Sequence, residues 1–270
     1  MQNIIRLFAK YGTQITFVLL QILCFTIIVK YNQTQKAIFV NSSNLYAAKL
    51  DSRLGKWQSY LSLQEVNDSL AGHNAALLEM YINRSPGDPV FEDTSTIQYR
   101  LIPANVTNNT YHLRNNHITL DKGSADKIER DMGVISEDGI VGIVRNTSEN
   151  FAHVVSILNI QTRISGTVKP YAYPGTVVWK GTNPRVVTLE AIPKHADIQR
   201  GDTVVTSGYS TIFPPGLPIG TVDDFRINMG SSNYDITVRL FNDVPNEKVV
   251  YVVNNILATE QKLLEEEIDE

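Results

Sequence analysis

The pentapeptide Ser85-Pro86-Gly87-Asp88-Pro89 splits this chain of 270 residues into two stretches that obey different periods. No helix crosses it, because proline removes a backbone donor and clashes with the preceding turn. Before it the pattern is helical. Ala47, Leu50, Leu54, Trp57 and Leu61 follow a 3-4-3-4 spacing, slip by one residue, and resume as Leu63, Leu70 and Leu77 at intervals of seven. Tyr60, Asn67, Asn74 and Tyr81 fill the alternate positions. Apolar groups every 3.5 residues face one partner helix, and buried Asn fixes register at a cost in stability. The spacing predicts a coiled coil over 41–84, capped at Asn41, Ser42 or Ser43, with Leu63, Asn67, Leu70, Asn74 and Leu77 as dimerisation residues. Such a stalk is about 60 Å long at 1.5 Å per residue. The alternative is a single amphipathic helix lying on its own domain.

After the break the period becomes two. About a dozen short apolar runs separated by turn signals lie between Thr96 and Val253. Strands this short and numerous, with no helix between them, predict small antiparallel barrels or sandwiches. One short helical insert is expected at Ser124–Asp131, capped by Ser124 and ended by Gly133. The Glu-rich end, Leu257–Glu270, reads as a frayed helix or tail. Within Gly201–Val222, a loop punctuated by Gly208, Pro214, Pro215, Gly216 and Pro218 carries Tyr209, Ile212 and Phe213. Gly and Pro together hold such a loop in one shape. The three apolar groups are therefore candidate partner-binding residues; the alternative is that they cap the barrel from which they project.

At the other end, Tyr11–Val29 is an uncharged run close to the length of a bilayer span. It ends in Lys30-Tyr31-Asn32 with no small-residue cleavage site, so an uncleaved anchor over 11–30 is expected rather than a signal peptide. Arg6 and Lys10 stand against Lys30 and Lys36, a weak charge bias for orientation. The one cysteine, Cys24, lies inside this run, so no intramolecular disulfide forms. A net charge of −4 leaves no basic footprint for nucleic acid. Catalytic patterns are missing: there is no GxSxG, HExxH, CxxC or GxxxxGK. His73, His112, His117, His153 and His195 show no metal-ligand spacing. His117 and Ser210 could be cast as base and nucleophile of a chymotrypsin-like site, but Gly208-Tyr-Ser-Thr211 does not build an oxyanion hole. No enzyme activity, metal or cofactor is expected.

The local motifs resemble a known family. Asp121-Lys-Gly-Ser124, Asp131-Met-Gly-Val-Ile135 and Gly139-Ile-Val-Gly-Ile-Val144 are similar to the first barrel of the MreC family of bacterial rod shape-determining proteins. Ser156-Ile-Leu158 and Arg163-Ile-Ser-Gly166 follow in the same order. Gly201-Asp202, Thr206-Ser-Gly208, Phe213-Pro-Pro-Gly216 and Pro218-Ile-Gly220 resemble the family's second signature. The resemblance implies a mainly β protein with an N-terminal α segment, ending in a chymotrypsin-like double barrel without an active site. It implies a cytoplasmic N-terminus at 1–10, one span of the bacterial inner membrane, and the bulk of the chain in the periplasm. With the second barrel as an insertion, barrel one covers 96–162 plus 219–253, barrel two covers 163–218, and 254–270 is an acidic tail. It further implies a homodimer acting as a scaffold of the cell-elongation machinery. Its partners would be the class B penicillin-binding transpeptidase, MreD and, indirectly, MreB. The rival architecture is a periplasmic adaptor of an efflux or secretion system, which needs a helical hairpin inside a lipoyl-like domain.

Overall fold

The computed structural model describes residues 2–31, 63, 65–84, 97–171, 173–227 and 232–269. The expected stalk segment 41–62, its caps and the Ser85–Pro89 break lie outside the described residues. The chain divides into two compact units, Met1–Asp68 and Ser69–Glu270.

In the first unit, helix α1 (Gln2–Tyr31) contains the uncharged window Tyr11–Ile28, 18 residues with a mean hydropathy of 1.7 and none of it buried. Water does not tolerate that many exposed apolar groups on one helix, and the length is near that of a bilayer core. Helix α2 occupies residues 65–83. Its apolar residues fall into two stripes. Ala75, Leu78 and Ile82 pack into the protein core, whereas Leu70, Leu77, Met80 and Tyr81 face solvent.

Among the described residues, the second unit holds twelve strands in two closed antiparallel barrels. The first runs β1-β12-β3-β4-β5-β2 around its circumference: β1 (Tyr99–Asn109), β2 (Asn115–Leu120), β3 (Gly133–Ile135), β4 (Ile140–Thr147), β5 (Ala152–Asn159) and β12 (Val249–Asn255). The second runs β10-β11-β8-β7-β6-β9: β6 (Ile164–Val168), β7 (Tyr173–Val178), β8 (Val186–Pro193), β9 (Thr203–Thr206), β10 (Pro218–Ile227) and β11 (Asn233–Leu240). Period-2 alternation drives each barrel. In β6 the burial alternates strictly, with Ile164, Gly166 and Val168 inward.

The boundary between the barrels differs from the expected one. Of the segment 219–253, only the last strand, β12, returns to barrel one. Strand β10 pairs with β9 (Pro218↔Val205, Gly220↔Val204), and β11 pairs with β8 over Asn233↔Pro193 to Arg239↔Val186. The reason is closure. Without β10 and β11, the strands β9-β6-β7-β8 would form an open sheet with two unpaired edges, which closing the ring removes. The helical insert is also shorter than expected. It is a single 3-10 turn at Ser124–Asp126, with Gly123 rather than Ser124 at its N-cap. The C-terminal helix is α3 (Ala258–Asp269).

Candidate partner-binding surfaces

The proline-rich loop between β9 and β10 is held from inside. Thr206 Oγ1 donates to Pro214 O at 2.6 Å and accepts from the Leu217 amide at 2.9 Å, while Gly216 N donates to Thr206 O. Ser207 Oγ and Ser165 Oγ share a hydrogen bond of 2.6 Å. Gly208 and Gly216 take φ of 78° and 83°, the left-handed region that favours glycine.

This frame sends the three aromatic and aliphatic candidates in different directions. Tyr209 is 78% exposed. It borders a shallow groove on barrel two with Ser165, Pro174, Gly175, Thr176 and Ala191. Ile212 is only partly buried and packs against the core. Phe213 is 3% exposed and cannot reach a partner. Its ring lies against Gly133 of β3, where an added Cβ would stand 2.5 Å from the ring edge. Phe213 is thus a joint between barrels and not an exposed contact. Two carboxamides complete that joint: Asn255 Nδ2 donates to Thr211 O at 3.0 Å, and buried Asn242 Nδ2 donates to Ile140 O at 2.8 Å.

On α2, Asn67, Leu70 and Leu77 are exposed, the two leucines at 56% and 61%, and Leu63, ahead of the helix, is 65% exposed. Asn74 is not free: its Nδ2 donates to Glu137 Oε1 at 2.6 Å. With 3.6 residues per turn, Asn74 falls on the flank between the leucine stripe and the Ala75/Leu78/Ile82 stripe, within reach of barrel one. The residues that strap α2 to the barrel were not singled out from sequence. Asn83 Oδ1 accepts from the amides of Gln98 and Tyr99, both at 2.9 Å, and its Nδ2 donates to Tyr99 O at 2.7 Å. Glu79 Oε2 accepts from Leu101 N at 3.1 Å. The signal was a second 3-4 spacing, Ala75, Leu78 and Ile82, beside the leucine seam. Leu78, Tyr81 and Ile82 also border a cleft with Ile135 of barrel one and with Leu217 and Pro218 of barrel two, so α2 spans the joint.

The residues castable as a hydrolytic pair do not form one. His117 sits on β2 beside His153 of β5, ring centroids 4.8 Å apart, and Ser210 Oγ caps its own loop by accepting from Ile212 N. Burial, and then the neighbouring His117, holds the His153 imidazole below its ordinary pKa. Among the described residues no three His, Cys, Asp or Glu side chains are grouped to hold a metal ion. Around Glu137, burial pushes Glu247 above the usual carboxylate range, opposed by a hydrogen bond from Ser136 and reinforced by Asp138, Asp243 and Glu137.

The class defined by this architecture is the tandem-barrel protein, in which loops and a helix flank present the exposed apolar groups. The family model for the rod shape-determining protein MreC, barrel core, matches residues 106–254, more than half of the chain. The chain belongs to the MreC family. The cell shape-determining protein MreC of Bacillus subtilis is 27% identical over 213 residues, 73% of this chain and 72% of that protein. MreC of Listeria monocytogenes is 31% identical over 113 residues, 40% of this chain and 38% of the relative. Two solved structures share the fold at 22% identity. MreC from Listeria monocytogenes gives a TM-score of 0.54, covering 83% of this chain and 95% of that one. MreC from Pseudomonas aeruginosa gives 0.52, covering 57% and 98%.

Proposed function

We propose that this protein is a non-enzymatic, membrane-anchored scaffold of the bacterial elongation machinery, maintaining cell shape by binding and regulating peptidoglycan-synthesis proteins. The observation that carries the reading is the family match across the barrel core, residues 106–254. In this reading α1 crosses the inner membrane once and the barrels stand in the periplasm. The exposed Leu70 and Leu77 of α2, with Leu63 ahead of it, pair two copies, with Asn67 at the seam; Asn74 contributes to the strap instead. The Tyr209 groove of barrel two receives the class B penicillin-binding transpeptidase, with MreD as a second partner in the membrane and MreB coupled indirectly. Binding regulates the transpeptidase only if its active conformation is held more tightly than the inactive one.

The adaptor reading fits less well. It needs a helical hairpin interrupting a lipoyl-like sheet, whereas both barrels close on themselves and the described helices lie outside them. The test is capture of the host's elongation transpeptidase by the detergent-solubilised full chain, with and without Tyr209→Ala. An exposed aromatic anchor contributes about 2 kcal/mol or more at an interface, so affinity is expected to fall roughly thirtyfold. Undiminished capture by Tyr209→Ala removes the groove from the account; no capture by the native chain removes the transpeptidase.

A further inference from the structure

Barrel one carries two histidines side by side on its outer wall. His117 lies on β2 and His153 on β5, far apart in the chain. The register of these strands pairs His117 with Val155 and Thr119 with His153, so the two imidazoles are diagonal neighbours on one face. The alternate residues, Ile118 and Leu120 of β2 and Ala152 and Val154 of β5, are fully buried in the core, which turns the histidines outward. Their ring centroids are 4.8 Å apart, with the planes tilted by 36°. With metal–nitrogen bonds of about 2.0–2.1 Å, two imidazoles bound side by side to one ion place their ring centres about 4.5–5.5 Å apart. The pair therefore already stands at the spacing that chelation requires. In addition, Nδ1 of His117 is buried and meets no hydrogen-bond partner among the described residues. A buried polar atom without a partner costs stability, and an imidazole lone pair that meets a cation no longer carries that cost.

From this geometry we infer that His117 and His153 form a cross-strand binding site for a divalent transition ion of the zinc class. Imidazole nitrogen suits Zn²⁺, Ni²⁺ and Cu²⁺, whereas Mg²⁺ and Ca²⁺ take oxygen ligands and are not held by such a pair. Directly across from His153 stand Thr119 of β2 and Asn146 of β4, neither of which brings a positive charge against the ion. No third His, Cys, Asp or Glu joins the two among the described residues, so water completes the coordination. The site is thus open and exchangeable, unlike a closed four-ligand structural zinc centre. An ion held there ties β2 to β5 from the outside. It binds only where the strands are in register, so it stabilises barrel one by mass action.

The test is calorimetric titration of the detergent-solubilised full chain with ZnCl₂, the protein carrying no oligohistidine tag and Cys24→Ser removing its one thiol. One equivalent is expected to bind with a Kd of about 1–100 µM, weaker than a closed site because only half of the ligands come from the protein. At about 1 mM Zn²⁺ the Tm is expected to rise by roughly 3–10 °C, and Mg²⁺ at the same concentration to leave it unchanged. His117→Gln and His153→Gln keep the bulk of each side chain on the outer wall. Each is expected to weaken Zn²⁺ binding about tenfold or more, with little change of Tm in the absence of metal. His195→Gln, in the connection between β8 and β9, leaves binding intact. Zn²⁺ binding that survives both glutamine changes together, or that falls with His195→Gln, overturns the site. So does a native chain that gives no binding signal at about 1 mM Zn²⁺.

Discussion

Removing the Phe213 ring tests whether the two barrels form one joined body. The side chain is 3% exposed and wedged against Gly133 of the other barrel. Burying a Phe contributes about 1.5–3 kcal/mol by transfer. A cavity of roughly 80–100 Å³ left by the ring adds about 2 kcal/mol at 24 cal/mol per Å³. Phe213→Ala is therefore expected to cost about 3–5 kcal/mol, or roughly 8–16 °C in Tm for a unit of this size. Gly133→Ala strikes the same joint from the other side. Its new Cβ would lie 2.5 and 2.7 Å from the ring and 2.8 Å from Ile212 O, so overpacking costs about 1–3 kcal/mol. Together the two changes should couple. The Cβ then enters space that the ring has left, and only the Ile212 carbonyl still opposes it. The double variant is expected to be about 1–2 kcal/mol more stable than additivity requires. Denaturant unfolding of the unit Ser69–Glu270, followed by the fluorescence of buried Trp179, measures all four corners of the cycle. A loss below about 1 kcal/mol for Phe213→Ala, or strict additivity, refutes the wedge.

Two further predictions concern the strap and the acidic pocket. Asn83→Ala leaves the amides of Gln98 and Tyr99 without their acceptor, so a loss of about 1–3 kcal/mol is expected, with faster amide exchange at those two positions. Unchanged exchange there would mean that α2 is held by its apolar stripe alone. For Glu247, burial raises the folded-state pKa above the usual 4.5, so the fold favours the protonated acid. Its contribution to stability is full below 4.5 and lost as pH rises through the folded value. Glu247→Gln is accordingly expected to stabilise the protein at pH 7, with the advantage vanishing near pH 4. Equal stability at both pH values would show that the Ser136 hydrogen bond, not burial, governs this carboxylate.

Local patterns made several elements legible. The run of uncharged residues over Tyr11–Val29 demands a long apolar helix, and α1 contains it. Alternating short runs located strands in both barrels, because a barrel wall has one inward and one outward face. One stretch is poorly marked locally. Pro103-Ala-Asn105-Val-Thr-Asn108-Asn109 holds a proline and three asparagines, residue types depleted in strands, yet it completes β1. There the Asn105 amide donates to Asp121 Oδ1 at 2.7 Å and its side-chain Nδ2 to Oδ2 at 2.9 Å, a stabilisation that comes from across the turn.

For the candidate sites, the sequence by itself determined which residues are apolar, which are rigidly placed by Gly and Pro, and which repeat at helical intervals. It marked the Tyr209–Phe213 loop and the leucine stripe on those grounds. Whether an apolar side chain faces solvent or a neighbouring domain depends on groups far away in the chain. Only the tertiary structure turned Phe213 toward Gly133, left Tyr209 outside, and drew Asn74 to Glu137. The same holds for the barrel boundary. Each strand's alternation is local, but membership of a ring is decided by which strands close the last edge, and β10 and β11 close the second.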